Sequence, residues 1–435
     1  MPNILIIHCH DLGTYTGAYS GNSASTPALD KMAHEGIVLE SHFSAAPTCS
    51  PSRASMFSGL NPHRHGLMGL QNGGIWNLDP SIPLIPTILG KNGFETCAFG
   101  VWHVNIDPSD FGVDIYDPVE LPMSRHSCEV TSDRFIKYLD QRDKTKPFFA
   151  AVGFFEPHRD FTDQWENLPD PETVEVPHYL PDIPETRDEL RLMYGDISRA
   201  DAATGRIISE LDKRGLSEDT MVIFTVDHGI AMPYAKGTLY DPGIHIAAIF
   251  RWPGKFAADK RIGTLTSNVD LLPTILSCAG LKEQIPPDID GIDLMPALEG
   301  SPYQERNEVF TELTWHDFYE PMRAIRTQKF KLIRNFEVRD GLQLAGDIQQ
   351  APMVPHIRWQ MRAEVRPEYE LYDLEEDPRE QQNLSEDLEY TSIFDELKSR
   401  LNEYLVETND PILNGPVEPP EAYYKFVAKS SAGLP

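Results

Sequence analysis

The 435-residue chain carries 38 Lys and Arg against 67 Asp and Glu, a formal net charge of −29. That excess argues against nucleic acid, an anionic membrane surface or a long polyanion as partner. The length exceeds what one small core needs, and five scattered Cys (Cys9, Cys49, Cys97, Cys128, Cys278) contain no Cys-x-x-Cys pair, so neither a disulfide framework nor a zinc ribbon is indicated.

Met1-Pro2 leads straight into the apolar Asn3-Ile4-Leu5-Ile6-Ile7, with no secretory cleavage site, and no later run approaches membrane-spanning length. A cytoplasmic location is expected on that basis. Apolar runs predict buried strands over Ile4–His8, Thr96–Gly100, Phe148–Phe154, Met221–Val226 and Ala247–Phe250. Helical patterns fall between them: from Thr26-Pro27 to near Gly36, from Pro86 to Gly93, and from about Thr186 to Gly215. The alternation predicts an α/β fold with a mostly parallel central sheet. Beyond about residue 305 the pattern changes. Met322–Arg326 and Phe330–Asn335 read as paired strands, Glu370–Leu374 as a third, and Ile393–Thr408 as a helix covering a small antiparallel sheet. We therefore expect an α/β domain over 1–304 and a C-terminal α+β subdomain over 305–435, ending in an extended, Pro-rich tail from 411.

Ligands of such sheets gather at the carboxyl ends of strands. His10-Asp11 closes the first predicted strand and Asp227-His228-Gly229 closes a later one. Two carboxylates and two imidazoles on one sheet edge suit a divalent cation; an all-oxygen shell would favour Ca²⁺ or Mg²⁺. His103 and His158 also follow predicted strands. The run Cys49-Ser50-Pro51-Ser52-Arg53-Ala54-Ser55-Met56-Phe57-Ser58-Gly59 reads as a short helix with Ser50 as N-cap, Pro51 in its first turn and Gly59 as its stop. Cys49 then lies at a helix N-terminus, where an anion is favoured, and Arg53 can lean back toward the same point.

This run resembles the signature of the type I sulfatases, members of the alkaline phosphatase superfamily. Phe57-Ser58-Gly59 replaces the family's Leu-Thr-Gly, while the Cys-x-Pro-Ser-Arg core is intact. The likeness spans nearly the whole chain, is greatest to the sulfamidase (N-sulfoglucosamine sulfohydrolase) branch, and implies that branch's alkaline-phosphatase-like fold, a large α/β/α sandwich with a small C-terminal antiparallel sheet. It includes Glu156-Pro157-His158-Arg159, Pro321-Met322-Arg323, Glu370-Leu371-Tyr372-Asp373 and Glu407-Thr408-Asn409-Asp410-Pro411. The resemblance implies that Cys49 is oxidised to formylglycine by a formylglycine-generating enzyme or an anaerobic maturase, and that the aldehyde hydrate is the nucleophile. It implies one divalent metal held by His10, Asp11, Asp227 and His228. His10 stands where the family has an Asp; as a ligand it would shift preference from Ca²⁺ toward Mn²⁺, and the alternative is that it does not ligate. Arg53 and Lys236 would clamp sulfate, His158 would protonate the leaving group and His103 would act on the hydrate. Val101 occupies the position of the family's sulfate-binding Lys. The implied substrate is a small sulfated saccharide or an aryl sulfate. A phosphonate monoester or phosphodiester hydrolase is the alternative activity, and an inactive binding homologue the third reading.

Overall fold

A computed structural model describes residues 1–19, 24–119, 127–162, 168–339, 341–363 and 365–425. Twelve strands lie among the described residues: β1 (Asn3–Cys9), β2 (Ile37–Phe43), β3 (Glu95–Gly100), β4 (Ile115–Asp117), β5 (Phe148–Gly153), β6 (Thr220–Val226), β7 (Ala248–Arg251), β8 (Lys260–Ser267), β9 (Glu308–Trp315), β10 (Tyr319–Thr327), β11 (Phe330–Asn335) and β12 (Tyr369–Asp373). The first eight form one sheet in the order β4-β3-β5-β1-β6-β7-β2-β8. All its pairings are parallel except those of β7 with β6 and β2.

Alternation along the central strands builds two cores. On β1, Leu5, Ile7 and Cys9 enter one apolar cluster, and Ile4 and Ile6 enter the other. The helices Pro27–His34, Ser127–Gln141 and Pro184–Lys213 contribute to the first cluster; Cys49–Ser58, Ile85–Lys91 and Leu271–Cys278 contribute to the second. Both faces of the sheet are thus covered, and each fully buried Leu or Ile contributes roughly 1.5–3 kcal/mol. The predicted α/β/α sandwich is what forms.

The small sheet runs β12-β11-β10-β9, wholly antiparallel. The helix Thr391–Glu407 covers it, packing Leu397, Leu401 and Leu405 on Ile325, Leu332 and Leu371. Val309, Leu313, Met322 and Ile333 share a cluster with Phe43, Leu239, Ile244 and Leu265, which joins the two sheets. The segment after 410 departs from an extended tail. Pro411–Asn414 forms a 3₁₀ turn, and Val417 accepts a hydrogen bond from Trp315 Nε1 (2.8 Å) and donates one to Tyr319 (2.9 Å). Backbone bonds to the sheet hold it down; residues 426–435 lie outside the described residues. No helix among the described residues is long and apolar enough to cross a membrane.

Candidate active site

Register places the chemistry. β1 lies between β5 and β6, with Cys9 level with Val226 and His8 level with Gly153, while Gly153 is also level with Gly100 of β3. The residues that follow these four strands therefore emerge along one carboxyl edge: His10-Asp11, Asp227-His228, His158 and His103. Backbone must pass closely there. A Cβ on Gly153 would lie 2.1 Å from the Val101 carbonyl oxygen, and one on Gly229 would lie 1.8 Å from that of Pro242. The glycines permit that approach.

The helix Cys49–Ser58 points its N-terminus at this edge. Its N-cap is Thr48, not Ser50. Ser50 has another task, its hydroxyl accepting the Gln71 N–H at 3.0 Å. Ser52 Oγ donates to the Asp227 carbonyl at 2.5 Å, and Asn268 Nδ2 donates to Ser52 Oγ at 2.9 Å. Gly59 ends the helix in the left-handed region, φ 73°.

These constraints bring five sequence-predicted residues into one buried cluster. Ligand atoms of His10, Asp11, Cys49, Asp227 and His228 all lie within 4.8 Å of one another. His10 Nδ1 is 2.7 Å from Asp11 Oδ1 and 3.2 Å from Asp227 Oδ2; His228 Nε2 is 3.1 Å from Asp11 Oδ1 and 3.3 Å from Cys49 Sγ. Two buried carboxylates facing two imidazoles fit a divalent cation, and the donor set is mixed nitrogen and oxygen. Arg53 reaches past Cys49 to the strand ends, with Nη2 2.9 Å from Asp227 Oδ2 and Nη1 bonded to His8. Lys236 Nζ donates to Asp11 Oδ2 at 2.8 Å and stands 3.3 Å from His158 Nε2.

The charges settle accordingly. Burial alone would raise the Asp11 carboxyl, but the Lys236, His158 and His228 charges hold it well below the usual range. Asp227 behaves alike under His10, His228 and Arg53. Burial carries the Cys49 thiol well up, against the pull of Lys236, so the unmodified side chain is a thiol rather than a thiolate. Burial, reinforced by Arg53, lowers His103 to about 3. Its Nε2 is 3.2 Å from Asn72 Oδ1, and the buried Nδ1 has no partner among the described residues.

A cavity of about 1100 Å³ opens over the cluster, with His10, Cys49, His103, His158 and Lys236 in its wall. Val101 lines it too, where the expected lysine would stand. Arg159 is a lining residue, but its charge is already committed: Nη1 donates to Glu189 at 2.5 Å and Nε to the Ala231 carbonyl at 2.8 Å. Sequence reasoning missed Asp347, whose Oδ2 accepts from Lys236 Nζ at 2.8 Å and lies 3.7 Å from His158 Nε2. Asp347 sits 111 residues from Lys236, outside any recognisable motif.

The chain is similar to known proteins in sequence and in fold. A family model described as sulfatase matches residues 2–281, and one described as N-sulphoglucosamine sulphohydrolase, C-terminal, matches residues 228–363. The chain is 29% identical to the N-sulphoglucosamine sulphohydrolase of Homo sapiens over an alignment covering 95% of this chain and 92% of that protein. Among solved structures, a protein in complex with its substrate D-glucosamine-2-N,6-O-disulfate superposes with a TM-score of 0.73 at 21% identity, covering 95% of this chain and 99% of the other. The phosphonate monoester hydrolase of Agrobacterium radiobacter gives 0.72 at 20% identity, covering 94% and 96%.

Proposed function

The chain belongs to the sulfatase family and has the alkaline-phosphatase-like fold, and from that premise we propose that it removes a sulfuryl group from a small sulfated saccharide, glucosamine N-sulfate first among candidates. The observation that carries this is the convergence of Cys49, Lys236 and His158 on the carboxylate–imidazole cluster at the floor of one cavity. The similarity to the human sulphohydrolase over 95% of the chain supports the N-sulfated sugar.

His10, Asp11, Asp227 and His228 would hold the divalent metal that the family implies. When bound, such an ion supplies Lewis acidity to the sulfuryl oxygens. The two imidazoles favour Mn²⁺ or another borderline ion over Ca²⁺ or Mg²⁺. Formylglycine at position 49 supplies a hydrated aldehyde, a better nucleophile here than a thiol that burial keeps protonated. Cys49 is 3% exposed in the folded chain, so a maturing enzyme would act before folding closes the site.

The remaining work falls to side chains. An ammonium has three donors; Lys236 directs two at Asp11 and Asp347 and the third at His158 Nε2, 3.3 Å away, and its buried charge favours a sulfuryl oxygen placed beside them. Arg53 fixes Asp227 and adds positive charge beneath the site. The Nδ1–H of His158 donates to the Arg159 carbonyl at 2.5 Å, leaving Nε2 as the nitrogen that hands a proton to the departing atom. Burial and the Lys236 charge weaken that imidazole as a base, while Asp11 and Asp347 support its protonated form. His103, kept neutral by burial, retains a lone pair on its unpartnered Nδ1 and is the candidate to accept the hydrate's proton.

Peptide mass spectrometry of protein from its native host should show an aldehyde in place of the thiol at position 49. Cys49→Ala should abolish turnover while leaving the fold intact. Glucosamine N-sulfate, glucosamine 6-sulfate, an aryl sulfate and a phosphonate ester are compared at equal enzyme. Preference for the phosphonate would overturn the reading, and preference for an O-sulfate would remove the N-sulfated sugar from it. Since an amine needs a proton to depart more than a phenol does, His158→Ala should cost the N-sulfated sugar more than the aryl sulfate.

A further inference from the structure

Part of the catalytic cavity is built by residues beyond the large sheet. His316, Asp317, Gly346 and Asp347 line it together with His158 and Lys236. The loop carrying Asp347 is fixed from two sides. Leu344, Ala345 and Ile348 are buried in the same apolar cluster as Leu5 and Ile7 of β1. Asp317 Oδ2 accepts the Gly346 N–H at 2.6 Å and is held by His316 Nδ1 at 3.0 Å. Asp347 is therefore a rigid part of the site. Its Oδ2 is 3.7 Å from His158 Nε2, the atom assigned to protonate the leaving group. A leaving atom hydrogen-bonded to Nε2 comes within reach of the same carboxylate.

Resting on the saccharide-sulfatase reading above, we infer that Asp347 determines leaving-group specificity, accepting a hydrogen bond from an amino group as it departs and disfavouring groups that leave as anions. As the attacking oxygen bonds to sulfur, the S–N bond breaks and its electron pair goes to nitrogen. His158 supplies the proton that makes the free amine, and solvent supplies a second that makes the ammonium. The neutral amine keeps N–H donors for a carboxylate beside that nitrogen, and the ammonium formed by the second proton is attracted to it. The same carboxylate repels a phenolate or a second anionic group at that position. Asp347 thereby gives the cavity its preference for an amino sugar, while Lys236, with the buried charge of Arg53 beneath it, supplies the positive field for the sulfuryl group common to all substrates.

Asp347→Asn removes the charge and keeps the shape; Asp347→Glu keeps the charge. Two readouts are taken on each: kcat/KM for glucosamine N-sulfate relative to 4-nitrophenyl sulfate, and calorimetric binding of glucosamine relative to N-acetylglucosamine. The wild type should bind glucosamine about tenfold more tightly than its acetamide, and Asp347→Asn should erase that preference. The kinetic ratio should fall about tenfold in Asp347→Asn and recover in part in Asp347→Glu. An equal loss on both substrates, or a binding preference unchanged by Asp347→Asn, would overturn the inference and leave Asp347 as a prop for Lys236. Should the wild type turn over neither sulfated compound, the sulfatase reading fails by itself. The comparison of the two amino sugars still decides the role of Asp347.

Discussion

Arg53 is wholly buried, and its guanidinium is divided between Asp227 and His8. A lysine is shorter at its head and lacks the planar fork that reaches these two partners in fixed directions. Arg53→Lys should therefore leave Asp227 poorly oriented and lower metal content and kcat/KM by about 10–100-fold, as loss of an outer support for a ligand does. Elemental analysis beside steady-state kinetics checks this; full metal stoichiometry with an unchanged rate would refute it. The same residue marks what a sequence can and cannot reveal at this scale. Cys49, His10, Asp11, Asp227, His228 and His158 were legible because each lies within a few residues of a strand end or in a compact motif, and strand register then does the assembling. Asp347 was not, because its neighbours Leu344, Ala345 and Ile348 carry no period that announces a buried loop. Nor could the sequence show that Glu189 neutralises Arg159 from 30 residues away.

Elements here are held in place by close backbone contacts and a few buried ion pairs. In Asp227-His228-Gly229, the Pro242 carbonyl occupies the space where a Cβ would sit. Gly229→Ala must move backbone beside two proposed ligands. A loss of about 1–3 kcal/mol in denaturant unfolding is expected, with a matching drop in metal content. Stability equal to the wild type would show the approach is not tight. A second clamp joins the turn Pro62–His65 to the small sheet. His63 Nδ1 is 2.5 Å from Glu312 Oε2, and Arg323 Nε donates to Asp410 Oδ2 at 2.5 Å. Burial would lower the His63 imidazole, but the charge and hydrogen bond of Glu312, with Asp410, carry it above its usual value. A folded pKa above the unfolded value of about 6.5 gives stabilisation fully present below that pH and lost as pH rises through the folded value. His63→Gln should thus be less stable than the wild type by about 1–3 kcal/mol at about pH 6, with the gap narrowing by about pH 9. An equal gap at both pH values would exclude the ion pair. Strand prediction succeeded for the runs that are apolar throughout, as on β1, β5 and β6. It missed β2, whose centre reads Glu40-Ser41, and β8, where Lys260-Arg261 opens the strand and Gly263 interrupts it. Both lie at the end of the sheet order or next to it, where polar residues meet solvent.

At the scale of the whole molecule, residues from both sheets build one cavity in a strongly acidic chain. The join was only half legible: the change of pattern near residue 305 announced a second sheet, but not that residues 344–348 return to the core of the first. The charge has a consequence for substrate size. With 67 acidic and 38 basic side chains, the chain repels polyanions at long range. Attraction for a sulfate rests on Lys236 in the cavity wall and on Arg53 buried beneath it, and acts over distances shorter than the Debye length of about 10 Å at 0.1 M salt. A monosaccharide sulfate presents one or two charges and enters that local field with little penalty. A long sulfated glycan must bring many charges up to the acidic chain before one of its groups reaches Lys236. Salt screens that approach far more than it screens the buried contacts. Raising NaCl from about 0.02 to about 0.2 M should therefore increase kcat/KM for a long sulfated glycan several-fold, while that for glucosamine N-sulfate changes by less than about twofold. A polymer rate that falls with salt would mean that a basic track leads to the cavity, and the preference for small substrates would then have to rest on the shape of the cavity alone.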